Sequence, residues 1–182
     1  MDRPHSKQLR LGRFSETRRL YLLTSTTLAR APIFNDFRSA RLLVAEFRQA
    51  EEEGSARSLA WVVMPDHFHW LVELGPASLK RLMRRVKSRS TMMINRHRGR
   101  SGQLWQKGFH DRAVRREEDV QDVARYVVMN PKRRGLVARA GDYPHWMRLA
   151  LTRCCCGGPI AGKPHRDRLR ADRCLPQGMQ RL

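Results

Sequence analysis

WVVMPDHFHWLVEL, residues 61–74, sets two apolar runs on either side of a Pro65-Asp66 pair. Pro and Asp are turn formers. Apolar runs on both sides of them predict a β-hairpin, with Leu59 to Met64 going out and His67 to Leu74 coming back. Side chains alternate faces along a strand, so His67 and His69 point one way and Phe68 points the other. Two imidazoles side by side on a rigid strand make half of a divalent-metal site, which needs at least one further ligand from elsewhere. The bland alternative packs one imidazole under a loop and leaves the other on the surface. A lone histidine favours that alternative; a His-x-His pair directly after a turn favours the metal.

The segments outside the hairpin extend the pattern. Arg19 to Thr27 (RLYLLTSTT) is β-rich and reads as the first strand. Phe37 to Glu53 reads as a helix, with Leu42, Leu43, Ala45, Phe47 and Ala50 at apolar positions, Asn35 or Asp36 as cap and Gly54 as stop. After the hairpin, Ser78 caps a helix running to about Arg96, with Leu79, Leu82, Met83, Val86, Met93 and Ile94 toward the core. Leu104 to Val114 reads as another strand, with Gly108 marking a bulge or a close backbone approach. Glu117-Glu118-Asp119 opens a third helix at the positive end of its dipole. Val120, Val123, Ala124, Val127 and Val128 form its stripe, and Asn130-Pro131 ends it. The order β-α-β-β-α-β-α is that of an α+β fold: a ferredoxin-like antiparallel sheet with helices on one face, plus an added helix. Residues 1–18 form a flexible basic arm, 19–150 the domain, and 151–182 a basic, Cys-containing tail expected to be disordered. No internal repeat is apparent.

Charge narrows the choice of partner. Among 182 residues, 37 Lys and Arg stand against 17 Asp and Glu, a formal net charge of +20. Such an excess predicts a polyanionic partner, with nucleic acid ahead of an acidic membrane surface. No apolar stretch approaches the roughly 20 residues of a membrane span, and no signal-peptide segment follows the basic amino terminus. The expectation is a cytoplasmic protein acting at the nucleoid of a bacterial host. Lys80, Arg81, Arg84, Arg85, Lys87 and Arg89 fill most remaining positions of the second helix. Such a pattern is usually a solvated face, but almost no acid is interleaved here, which points to phosphate binding. Arg96, Arg98, Lys107, Arg112, Lys132, Arg133 and Arg134 join them as candidate DNA contacts. Trp105, Phe109 and His110 could stack on unpaired bases, although Trp and Phe more often serve a core. Cys154, Cys155, Cys156 and Cys174 make no disulfide framework, and their spacing with His165 matches no familiar zinc pattern.

The third helix carries the other half of the site. Tyr126 and Asn130, four residues apart, share one side of it at the edge of the valine stripe. Asn130 offers an amide oxygen suited to a hard cation such as Mg²⁺ or Mn²⁺. Held by His67, His69 and Asn130, the cation would polarise a phosphodiester, and the Tyr126 phenol would attack the phosphorus. Alternatively, Tyr126 is an amphipathic residue at the core edge and Asn130 a helix C-cap, readings that spacing alone would prefer.

MPDHFHWLVEL, LWQKGFHDRAV and ARYVVMNPKRRGLV resemble, in order, the corresponding blocks of the REP-associated tyrosine transposases. These belong to the single-tyrosine HUH transposases, in which U is a bulky hydrophobic residue. His67-Phe68-His69 fits HUH, and Tyr126 with Asn130 fits the family's Tyr-x-x-x-Asn-Pro block. The resemblance spans about Arg19 to Trp146. It implies an HUH fold on a ferredoxin-like core with an added catalytic helix, and Mg²⁺- or Mn²⁺-dependent cleavage of single-stranded DNA. It also implies a transient 5′-phosphotyrosine on Tyr126, and recognition of REP hairpins beside a short guide tetranucleotide by a monomer or homodimer. The Cys-rich tail is not explained by it. Two competing readings remain: a non-catalytic DNA- or RNA-binding module with a ferredoxin-like fold, and a metal nuclease that uses water in place of tyrosine.

Overall fold

The computed structural model describes residues 15–115 and 119–148. In chain order these form β1 (Leu20–Thr26), α1 (Phe37–Glu52), β2 (Ala56–Met64), β3 (His67–Leu74), α2 (Leu79–His97), β4 (His110–Ala113), α3 (Val120–Val128), α4 (Asn130–Arg133) and β5 (Trp146–Arg148). The strands make one antiparallel sheet in the order β4-β1-β3-β2-β5. Its first four strands reproduce the expected ferredoxin-like plan.

Alternation along β1 and β3 assigns the two faces. Tyr21, Leu23, Phe68, Trp70, Val72 and Leu74 pack with Leu43, Phe47, Leu82, Met83 and Val86, so α1 and α2 cover one face. Leu71, Ala60, Val62 and Met64 pack with Val123, Ala124, Val127 and Val128, so α3 covers the other. Helices thus lie on both faces, and the added helix shares its face with the histidine pair. Both long helices start where the caps indicated: Asp36 accepts from the Arg38 and Ser39 amides, and Ser78 accepts from that of Arg81. Within them Val44 and Ser90 also turn inward, whereas Ala45 and Met93, expected at apolar core positions, turn outward.

Two strand expectations change. The run 104–114 is a strand only from His110, because the chain leaves the sheet after Trp105 bridges Thr27. Gly108 takes a φ of 77° in the excursion, where the Lys87 ammonium donates to the carbonyls of Gln106 and Gly108 at 2.7 and 2.5 Å. β5, beyond the third helix, was not expected at all. It is a three-residue edge strand, fastened by the Tyr143 hydroxyl on the Val63 carbonyl (2.8 Å) and the Val63 amide on the His145 carbonyl (2.9 Å). Burial pushes the Tyr143 phenol up to about 12, so it stays a donor.

Of the expected basic arm, the end is tied down: Ser15 accepts from the Leu79 amide, and the Arg18 amide donates to Leu74. The rest of the arm and the Cys-containing tail lie outside the described residues. Among those residues, no helix is long and apolar enough to cross a membrane.

Candidate active site

The strand register assembles the site. Cα partners across an antiparallel pair share a face, so the pairings His110↔Thr24, Thr24↔His69 and His69↔Val62 set these residues in one row under α3. His67 follows on the same face beside Thr26, and its ring centroid is 5.0 Å from that of His69.

Each imidazole is held by its Nδ1. That of His67 lies 2.5 Å from a carboxylate oxygen of Asp66, and that of His69 lies 2.7 Å from the Thr24 hydroxyl. The ionised carboxylate can only accept, so the ring position facing it is the one that donates, and a neutral imidazole in this pose would carry its proton on Nδ1 and a lone pair on Nε2. Burial alone would raise the Asp66 carboxyl, but the bonds and charges of His67 and Arg30 hold it below its usual range. His69 is pushed down to about 4, first by burial and then by the neighbouring His67 and Arg134. It is therefore neutral at pH 7, as a metal ligand must be.

Asn130 is buried at the joint between α3 and α4, where its Nδ2 donates to the carbonyls of Tyr126 (2.9 Å) and Val127 (3.1 Å). It does cap the end of α3, yet its Oδ1 is left over as an acceptor. Tyr126 is 45% exposed, with the Arg133 guanidinium 4.7 Å from the centre of its ring. Among the described residues no cluster of three or more His, Cys, Asp or Glu could hold a metal, so any cation on the histidine pair would need an amide oxygen, phosphate or water as well. By donor type, two imidazole nitrogens and an amide oxygen would suit a hard divalent cation with open positions.

The expected DNA contacts divide between the two faces. Arg112 on β4 and Lys132, Arg133 and Arg134 around α4 are exposed on the histidine side, Arg112 through its pairing with Leu22. Lys80, Arg81, Arg84, Arg85, Lys87 and Arg89 ride on α2, against the opposite face. Arg85 and Arg89 are paired with Glu53 and Glu46 from α1 and the residue after it. Lys87 is occupied by the carbonyls of the 106–108 excursion. Arg96 and Arg98 end the helix and Lys107 is exposed in the excursion. Trp105 is a correction: its indole is 3% exposed, packed against Phe34 and Phe68 and bonded to Ser90, so no base can stack on it. Phe109 also packs against that core, which leaves His110 as the exposed aromatic of the three. Sequence reasoning missed Thr24, whose link to His69 depends on strand register. It also missed the Asp66 carboxylate, for which the residue order Asp-His was a visible signal.

Comparison with known proteins gives the family and the fold. Residues 18–130 match the family described as "Transposase IS200 like". The REP-associated tyrosine transposase of Escherichia coli (strain K12) is 26% identical over 139 residues, 71% of this chain and 80% of that protein. A solved structure of a REP-associated tyrosine transposase bound to a REP hairpin superposes with a TM-score of 0.62 at 20% identity, covering 74% of this chain and 79% of that one. That likeness is one of fold.

Proposed function

The chain belongs to the IS200-like transposase family, and from that premise we propose that it cleaves and rejoins single-stranded DNA through Tyr126 in a metal-dependent reaction. The observation that carries this reading is the shared face: α3, which bears Tyr126 and leads directly into Asn130 at the start of α4, packs on the side of the sheet from which His67 and His69 project. Mg²⁺ or Mn²⁺ held by the Nε2 atoms of His67 and His69 and the Asn130 Oδ1 would act as a Lewis acid on a phosphate oxygen. The Tyr126 oxygen attacks the phosphorus, forming a 5′-phosphotyrosine and breaking the bond to the 3′ oxygen. The phenolic proton leaves to solvent, and the departing oxygen takes one up as a 3′-hydroxyl. Attack by another 3′-hydroxyl on the phosphotyrosine restores the phosphodiester and frees Tyr126, with no external energy source. Arg133, stacked on the ring, offers its cation to the charge that develops there.

The substrate class is DNA hairpins of the REP type. Support comes from the relatives named REP-associated tyrosine transposases and from the fold neighbour bound to such a hairpin. The chain's +20 charge and the arginines beside Tyr126 are suited to such a polyanion. This activity would place the protein with the DNA of the host, as a monomer or homodimer.

A labelled single-stranded REP-type hairpin, incubated with the protein and Mg²⁺ and run on a denaturing gel, tests the reaction class. The expected product is a slow, protease-sensitive band that EDTA prevents and Tyr126→Phe removes while hairpin binding survives. His67→Ala and His69→Ala should also lose it. Nicking without the slow band would assign the attack to water. Specific binding without any cleavage, with Mn²⁺ as well, would leave a binding module.

A further inference from the structure

The turn that carries His67 is not one that a two-residue hairpin forms by itself. Met64 pairs with His67, so Pro65 and Asp66 alone make the loop. The hairpin turns whose twist suits β-strands need a positive φ at one or both loop residues. Among the described residues, the only non-glycine positions with positive φ are Arg18, Ala29 and Arg30, so neither Pro65 nor Asp66 supplies one. The loop is instead held from outside, by the segment after β1. The Thr27 amide donates to the Asp66 carbonyl (2.8 Å), the single Thr27 hydroxyl proton is shared between the carbonyls of Ala31 (2.8 Å) and Asp66 (3.0 Å), and the Phe34 amide donates to that of Pro65 (3.0 Å).

The same segment reaches the side chain of Asp66. The Arg30 guanidinium donates to one carboxylate oxygen at 3.0 Å while the other faces His67 Nδ1 at 2.5 Å. Arg30 arrives there through two consecutive left-handed residues, Ala29 at a φ of 51° and Arg30 at 54°. Neither is a glycine, and such strain persists where the surroundings over-determine it.

We propose that Arg30 and Asp66 are positioning residues that fix the ring of His67, holding its proton on Nδ1 and directing Nε2 to the bound cation. Thr27 and the strained 29–30 turn form the brace that keeps them in place. This rests on the metal reading above for its purpose, but the arrangement of the His67 ring can be tested without metal. A carboxylate oriented from its far side acts as a fixed acceptor. It sets the histidine tautomer and raises the basicity of the ligand nitrogen, and loss of such a partner weakens metal binding by about 10–100-fold. Arg30 has most of its side chain in solvent, so its own removal should cost less than that of Asp66.

The test combines two readouts on the full chain with Asp66→Ala, Asp66→Asn and Arg30→Met. Ring ¹⁵N NMR of the metal-free protein, with His67 assigned through His67→Gln, reads the tautomer. Titration with Mn²⁺ followed by electron paramagnetic resonance reads affinity, and circular dichroism checks folding. Expected are an Nδ1-protonated His67 in the wild type and a mixed tautomer in Asp66→Ala, with Mn²⁺ bound at least about tenfold more weakly. Asp66→Asn, which keeps an acceptor oxygen, and Arg30→Met should fall between. A wild-type His67 protonated on Nε2, or a folded Asp66→Ala with unchanged tautomer and affinity, would overturn the proposal. If Asp66→Ala does not fold, Arg30→Met at its exposed site decides by the same two readouts. Should the wild type bind no Mn²⁺, the metal reading falls, and the tautomer alone supports or overturns the role of Asp66.

Discussion

At the scale of single residues, His69 is the group whose chemistry the fold alters most clearly. Burial, then the charges of His67 and Arg134, hold it at about 4 against an ordinary 6.5. Between those values the unfolded chain binds a proton that the folded chain does not, so stability is complete above about pH 6.5 and falls as the pH drops toward 4. A shift of this size corresponds to roughly 3 kcal/mol at the acid end of that window. Urea unfolding at pH 7 and pH 4.5 should therefore show a larger acid loss in the wild type than in His69→Gln. Equal losses would mean that the folded protein protonates His69 freely. The histidine pair itself was legible in the sequence, since alternation along a strand fixes that both rings share a face. Thr24, 45 residues away, was not, because only the register that sets Thr24 opposite His69 brings the hydroxyl within 2.7 Å of the ring.

At the scale of elements, the joint between α3 and α4 serves structure and chemistry through one side chain. Asn130 spends its Nδ2 on two carbonyls of α3 and keeps Oδ1. Two substitutions separate these roles. Asn130→Ala removes donor and oxygen and should cost about 1–3 kcal/mol, the penalty for buried groups left without partners. Asn130→Asp loses the donor but keeps an oxygen ligand, so thermal unfolding should show both variants destabilised while Mn²⁺ affinity falls mainly in Asn130→Ala. Equal affinity in wild type and Asn130→Ala would remove Asn130 from the metal. Elements with strong local signals were legible: α1 and α2 start at Asp36 and Ser78 because their side chains satisfy free amides, and β3 alternates polar with apolar residues except at Leu71. β4 was overextended because Leu104, Trp105 and Phe109 are as apolar as strand residues. Their burial comes from the core packing of the 104–109 segment, which leaves the sheet around Gly108. β5 left no pattern to read, being three residues whose pairing is imposed by the edge of β2.

At the scale of the whole molecule, the division of cations between the two faces decides how DNA could engage it. The sequence showed a basic second helix but not that the sheet stands between that helix and the histidines. Lys80, Arg81 and Arg84 are exposed on α2 without an acidic partner among the described residues, whereas Arg112, Arg133 and Arg134 lie on the Tyr126 side. A strand bound for cleavage needs only the second group; a folded hairpin with phosphates on several sides can use both. The triple reversal Lys80→Glu, Arg81→Glu and Arg84→Glu should therefore weaken hairpin binding and make it less salt-sensitive. The logarithmic slope should drop by about 0.7–0.9 for each phosphate that the helix no longer neutralises. Cleavage of a short unpaired strand at saturating concentration should stay near wild type, since no residue of the Tyr126 face has changed. An unaltered hairpin affinity and slope would make α2 a solvated face. Loss of short-strand cleavage in a folded triple variant would mean that the path of the DNA crosses both faces even before a hairpin is recognised.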